Sequence, residues 1–263
     1  MTSVASEARF RALCRLPDAE VPLDEAMLVV SAVARPGVDE AAALAVLDDL
    51  ADRCPAPTLD ALVRHLFGDE GFRGNRAAYY DPDNSYLDVV LARRLGIPIS
   101  LAVVALSVGR RLGVPLSGVA MPGHFLLRDR VLTDVFVDPF RGVVLDAGGC
   151  ARVFRELHGP GARFDERYLE PVGPRVILRR VLANLSGIHR AAGDRRALAR
   201  VLRLRALVPG ATPEERRELA GALAASGQFE AAAAELEALA ADGSGERAAA
   251  DRAAAARHRA RLN

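Results

Sequence analysis

His124 and Asp138 are the residues whose types and spacing most readily carry chemistry. They lie at the outer ends of two short alternating stretches, His124 to Asp129 and Thr133 to Asp138, the pattern of an antiparallel hairpin. Pairing these about Val131 sets His124 opposite Asp138, Leu126 opposite Phe136 and Arg128 opposite Asp134. Directly opposed residues share a face of the sheet. Phe125, Leu127, Val135 and Val137 then form the apolar face that belongs to a core, and a slip of one residue would turn that set outward. The pattern therefore predicts an imidazole beside a carboxylate. A carboxylate so placed fixes the imidazole tautomer and raises its basicity, as a general base for activating a nucleophile requires.

A nucleophile gains most at a helix N-terminus, where the helix dipole favours the anion. The run Ile99 to Leu112, entered through Pro98, is apolar on nearly every side and reads as a buried central helix. At its start only Ser100 offers a usable oxygen. Two readings stand side by side: Ser100 as nucleophile to His124, or Ser100 as a cap for backbone donors at the helix start. The His124 and Asp138 pair likewise reads either as catalytic or as a structural hydrogen bond. Cys14, Cys54 and Cys150 are far apart without CxxC spacing, which fits free thiols in a reducing compartment, with Cys150 read as a loop thiol. There is no HExxH and no clustered third ligand, so neither a metal nor a cofactor is expected. His65, His158, His189 and His258 each stand alone in the sequence and read as ordinary core or surface residues.

The totals narrow the field further. With 35 basic and 34 acidic residues the net charge is +1, which argues against a surface built for nucleic-acid phosphates or anionic lipid. Every basic residue is Arg, which excludes Schiff-base chemistry on a lysine. Neither a signal peptide nor a membrane span is visible, and the cytoplasm is the expected location.

Elements that would position the site follow from periodicity and breakers. Residues 1 to 70 read as helices, with apolar residues at Leu23, Met27 and Val30, at Ala43, Leu44, Leu47 and Leu50, and at Leu59, Leu62, Val63 and Leu66. A further helix is predicted from Asn84 or Ser85, with Ser85 and Asp88 as a capping box, to a left-handed cap at Gly96. Gly113 and Pro115 end the central helix, and four β-prone pieces follow: Ser117 to Met121, the two hairpin strands, and Val143 to Leu145. From Pro174 the chain is helical again, with Gly193 and Gly227, Leu185 and Leu219, Ala197 and Ala231, and Leu202 and Leu236 each 34 residues apart. That is the tetratricopeptide period. The last helix, Glu246 to Leu262, carries Arg252, Arg257, Arg259 and Arg261 on a solvated face. The order is α+β, with a domain over residues 1–172 and an all-α tail over 173–263.

The stretch YYDPDNSYLDVVLARRLGIPISLAVVALSVGRRLGVPLSGVAMPGHFLL, followed by VDPF, resembles the bacterial SirB-type transglutaminase-like proteins, which carry a tetratricopeptide-like tail. The resemblance runs roughly from Leu23 to Leu239, and the blocks NSYL, GIPISL, PGHF and DPF carry it. It implies a papain-like core with helices before it, a nucleophile on a helix start, and His then Asp on neighbouring strands. By position the family's His is His124 and its Asp is Asp138, while its cysteine falls at Pro98 or Ser100, neither of which is Cys. What the resemblance implies is a degenerate transglutaminase-like protein acting as a protein- or peptide-binding or regulatory module. Its groove is expected near His124, with Asn84, Tyr86, Arg94 and Pro98. The alternative is a hydrolase or acyltransferase using Ser100, His124 and Asp138.

Overall fold

Apolar residues at helical spacing build the early chain as α1 (Ser3–Arg15), α2 (Leu23–Ala34), α3 (Glu40–Asp52) and α4 (Leu59–Val63). The last continues into a π-helical turn, Arg64–Asp69. The structure, a computed structural model, describes residues 3–262. Asp39 and Thr58 start α3 and α4 by accepting from Ala42 N at 2.9 Å and Ala61 N at 3.3 Å, which satisfies donors that the first helical turn leaves free.

The region between Gly68 and Gly96 differs from the sequence expectation. A single 3₁₀ turn covers Pro82–Asn84, and α5 runs only over Leu87–Arg93 with no side-chain cap from Ser85. Reversal at its end falls on Arg94, with φ of 56°, and not on Gly96. The reason is a tertiary pairing: β1 (Arg73–Gly74) and β2 (Leu95–Gly96) form a short parallel ladder that draws the chain out of the helix before Gly96. A left-handed non-glycine residue costs about 1 kcal/mol or more. At Arg94 this is offset by the Glu70 ion pair at 3.1 Å and by a guanidinium lying 4.5 Å from the centre of the Phe72 ring.

The central helix, α6 (Pro98–Leu112), has Pro98 in its first turn and Gly113, at φ 74°, as its left-handed cap. Leu101, Ala102, Val103, Val104, Ala105 and Val108 are all buried, each large one contributing roughly 1.5–3 kcal/mol by leaving water. Around it pack α2, α3, α4 and α5, with β3 and β4 of the main sheet. That sheet consists of β3 (Leu116–Val119), β4 (Leu126–Asp129), β5 (Phe136–Asp138), β6 (Val143–Leu145) and β7 (Pro171–Val172). Its order is β6-β5-β4-β3-β7, antiparallel throughout. Strands β3, β4 and β5 are shorter than their sequence stretches, β6 has the bounds expected for it, and β7 has no counterpart among them.

Register also differs. Leu127 opposes Val137 and Arg128 opposes Phe136, so the hairpin centre is Leu132 and not Val131. Asp129 sets this turn: its Oδ1 accepts from Val131 N at 2.7 Å and Leu132 N at 3.0 Å, an Asx turn that adds length to the loop. Because side chains alternate with period two, a shift of two keeps every residue on its face. Both faces are buried, however. Leu126 and Phe136 pack with Val119, Met121, Cys150, Val153 and Phe154, so the expected Arg128 and Asp134 pair gives way to Arg128 stacked 5.4 Å from the Phe136 ring centre. Cys150 is therefore not a loop thiol. It lies in α7 (Ala147–His158), which Asp146 starts by accepting from Gly149 N at 2.6 Å.

Five helices complete the chain: α8 (Pro174–Ala191), α9 (Arg195–Leu207), α10 (Pro213–Ala225), α11 (Phe229–Asp242) and α12 (Gly245–Arg259). Contacts divide the molecule into two compact units, Leu16–Val181 and one composed of α1 with the chain from Leu182 onward. The second unit thus includes the first helix, which the expected boundary at 172/173 assigned to the core. In it α9, α10, α11 and α12 pack in succession. Gly193 and Gly227 take equivalent left-handed turns ahead of α9 and α11.

Asp24 ties α2 to the end of α6. Its buried carboxylate accepts from Arg110 at 3.0 Å, Arg111 at 2.6 Å and Glu25 N at 3.0 Å. Burial, the largest influence, raises its pKa. The Arg111 hydrogen bond and the charges of Arg110 and Arg111 outweigh that, so the carboxyl titrates below its usual value. Asp24→Asn should cost about 3 kcal/mol at neutral pH, as expected when a buried ion pair loses one partner. Since the folded pKa is the lower one, this advantage is complete above the unfolded carboxyl range and disappears as pH falls through the folded value. Urea unfolding of both proteins between about pH 7 and about pH 3 measures it; a gap that does not narrow would refute the ion-pair account.

Candidate functional site

His124 sits in the turn that leads into β4, and three groups hold that turn. Its own amide donates to Met121 O at 3.0 Å. Arg180 of α8 donates one nitrogen to both Met121 O at 2.8 Å and His124 O at 2.7 Å. From α7, His158 meets Pro122 O at 3.0 Å. Gly123, at φ 73°, is required there, because a Cβ would also come within 2.9 Å of the His158 ring.

Asp138 ends β5 and is fully buried. Its Oδ1 accepts from Phe140 N at 3.0 Å and Arg141 N at 3.2 Å. Its Oδ2 lies 3.0 Å from His124 Nε2 and 3.4 Å from Arg141 Nε. Nε2 and Oδ2 are close, but their approach is off the axis a linear hydrogen bond needs. The pair is a short polar contact, 7% and 0% exposed, in surroundings that strengthen electrostatic interactions. No hydrogen bond occupies His124 Nδ1 among the described residues.

Ser100 is placed differently. It is fully buried, and its hydroxyl accepts from Ile97 N at 3.0 Å while approaching Asn84 O at 2.5 Å and Ile97 O at 3.1 Å. One hydroxyl carries one proton, and the shorter contact assigns it to Asn84 O. Gly96 packs against this oxygen so closely that a Cβ would lie 2.6 Å from it. No Ser100 to His124 hydrogen bond occurs among the described residues.

Of the four residues expected to line a groove, Asn84, Tyr86 and Pro98 are buried. Asn84 donates to Ala78 O at 2.6 Å and Tyr79 O at 3.2 Å and accepts from Asn75 at 2.9 Å, so it holds the 75–84 loop in shape. Arg94 is half-buried on Glu70 and Phe72. What this framework presents is a path of rings: Tyr80, 78% exposed, meets Tyr79 at 5.3 Å between centroids, Tyr79 meets Phe140 at 5.9 Å, and Phe140 meets His124 at 6.4 Å. Arg76 lies 5.6 Å from the Phe140 ring centre. Gly74 lets the Phe140 ring approach, since a Cβ there would come within 2.4 Å. Burial and the neighbouring Tyr80 raise the Tyr79 pKa against an opposing pull from Arg180, and burial lowers that of Arg180. Sequence reasoning did not single out Tyr79, Tyr80, Phe140 or Arg180. The adjacent tyrosines and the Phe of the DPF block were the available signals, and nothing local marked Arg180.

Thiol chemistry finds no support at Cys150, whose pKa is pushed up to about 12 by burial and by the carboxylates of Asp146, Asp138 and Asp134. No group of three or more His, Cys, Asp or Glu among the described residues is arranged to hold a metal. No helix among them is long and apolar enough to cross a membrane.

An imidazole just before β4 and a carboxylate at the end of β5 follow a run of helices, and comparison with known families gives the class. Residues 34–183 match the transglutaminase-like superfamily, and the chain belongs to it. It is similar to a UPF0162 protein of Xylella fastidiosa, 46% identical over 165 residues, which covers 60% of this chain and 58% of that one. A UPF0162 protein of Pseudomonas aeruginosa is 36% identical over 180 residues, 65% of this chain and 66% of its own. Human F-box only protein 21 is 34% identical over 145 residues, 51% of this chain but 22% of that one. The chain thus spans less than two thirds of each of these relatives. No solved structure matches it significantly.

At about pH 8 a thiol of pKa about 12 is ionised in roughly one molecule in ten thousand. Cys54, half-buried, should therefore react first with Ellman's reagent in the folded protein. Cys14 and Cys150 should react only on unfolding. Fast reaction that disappears in Cys150→Ser would show a reactive thiol in α7.

Proposed function

We propose that this protein is a degenerate member of its superfamily, a protein- or peptide-binding module that keeps the histidine and aspartate but has no working nucleophile. The observation that carries this reading is Ser100. Buried and donating to Asn84 O at 2.5 Å, it serves as a cap for the start of α6, and its proton is not directed to an imidazole. Serine also gains less than a thiol from a helix start, since its pKa lies much further above neutrality.

The binding surface we assign is the ring path from Tyr80 to His124 with Arg76 beside it. Aromatic residues and arginine dominate binding energy at protein interfaces. Presence of a related stretch as about a fifth of F-box only protein 21 supports a fold that works as a module joined to other parts. Similarity to bacterial proteins and the paired turns at Gly193 and Gly227 favour a SirB-type member whose tail is tetratricopeptide-like. Cytoplasmic location is part of the same reading.

Two experiments test it. A fluorophosphonate probe should leave the folded wild type unlabelled; labelling of Ser100 that vanishes in His124→Ala would instead establish the hydrolase or acyltransferase reading. Selection from a displayed peptide library on the full chain should yield binders that Tyr80→Ala with Phe140→Ala weakens about tenfold or more. Binders indifferent to those changes would move the binding surface elsewhere.

A further inference from the structure

The Leu16–Val181 unit holds a cavity of about 550 Å³ that includes neither Ser100, His124 nor Asp138. It lies between the last turns of α6, strand β3 and the chain entering α8. Its size falls in the usual range for small-molecule sites. Val21, Leu23, Leu106, Val114, Leu116 and Ile177 give it apolar walls. Two glycines keep the neighbouring elements close. At Gly173 a Cβ would sit 1.8 Å from an Asp18 oxygen, and at Gly118 one would sit 2.8 Å from Phe125 and 3.0 Å from Ile177.

Its lining carries two carboxylates, Asp18 and Asp24, and two guanidiniums, Arg110 and Arg130, which are not paired one to one. Asp24 is bonded by Arg110 and Arg111, and Asp18 accepts from Arg175 N at 3.0 Å at the start of α8. Both carboxylates are therefore answered within the fold. Arg130 is different: its backbone amide is fixed to Pro115 O at 2.8 Å, while its exposed guanidinium has no ion pair or hydrogen bond among the described residues. Ser107 adds a second unanswered group. It is 3% exposed, lines the same cavity, and its hydroxyl has no hydrogen-bond partner. Leaving such a group unpaired away from water costs about 1–3 kcal/mol, and a polar ligand atom would relieve it.

We infer that this cavity binds a small amphipathic organic anion, a carboxylate held by Arg130 with its aliphatic body against Leu106, Val114, Leu116 and Ile177. Among the described residues lining the cavity, Arg130 is the guanidinium left unpaired, over apolar walls and beside carboxylates already bonded; that selects for the combination, because an amine would meet the guanidinium as a like charge and a neutral alcohol would leave it unanswered. This inference goes beyond the proposed function and uses none of its residues, so either can fail alone.

Calorimetric titration of the full chain with decanoate, decanol and decylamine, all below micelle formation, tests it. Decanoate should bind one-to-one, decanol about tenfold more weakly and decylamine not measurably, the first gap being that of one charge-assisted hydrogen bond. Arg130→Glu, an exposed change that does not touch the core, should abolish the preference for decanoate. Leu106→Trp should fill the cavity and remove binding; if it also unfolds the chain, the Arg130→Glu comparison alone decides. Absence of saturable decanoate binding, equal binding of decylamine, or a decanoate affinity unchanged in Arg130→Glu would each overturn the inference.

Discussion

A hydroxyl taken out of water is costly to leave unpaired, and at the start of α6 the way Ser100 is paired organises the site. Ser100 reaches Asn84 O, sixteen residues back, and so fastens the 75–84 loop to the central helix. Asn84 in turn holds Ala78 and Tyr79 through its side chain. Tyr79 packs on Phe140, and Phe140 follows the Asp138 turn whose carboxylate faces His124. Gly96 and Gly74 are the positions where this chain of contacts leaves no room for a Cβ. Remove the cap and the ring path loses its base.

The same constraint turns the Ser100 hydroxyl to Asn84 O and not to His124. His124 is held in the turn before β4, which Arg180 clamps, and Asp138 ends β5 with its carboxylate fixed by two backbone amides. Rigid first and supporting shells are what catalytic geometry needs. The Ser100 hydroxyl, by contrast, is already committed to Asn84 O and Ile97 at the start of α6. Cys150, a buried thiol in α7, is held neutral by burial and by nearby carboxylates. An imidazole and carboxylate side by side, with the Ser100 hydroxyl bonded elsewhere, is the physical content of the proposed binding reading.

Burial on both faces of the sheet explains why the hairpin was harder to read than its pattern suggested. Alternation of polar and apolar residues normally marks one wet face, yet Leu126 and Phe136 pack under α7 while Leu127 and Val137 lie on the opposite, equally buried face. Asp138 is thus a buried carboxylate and not a surface one, which is why it needs His124, Arg141 and two amides around it.

Much was determined by sequence alone, wherever the deciding interaction is local. Pro98 and Gly113 bound α6 because one lacks a donor that a helix start does not need and the other tolerates left-handed backbone. Strand parity put His124 and Asp138 on one face even though the register differed by two, since a period of two survives such a shift. Superfamily membership followed from the same blocks, and residues 34–183 show it. Tertiary structure decided the rest: the β1 and β2 ladder that moved the helix end to Arg94, strand β7, the helical setting of Cys150, the placing of α1 with the tail helices, and the clamp by Arg180 from 56 residues away. It also decided where the Ser100 proton points. A hydrogen bond's direction depends on which distant carbonyl the fold delivers, and no spacing of residue types along the chain encodes that.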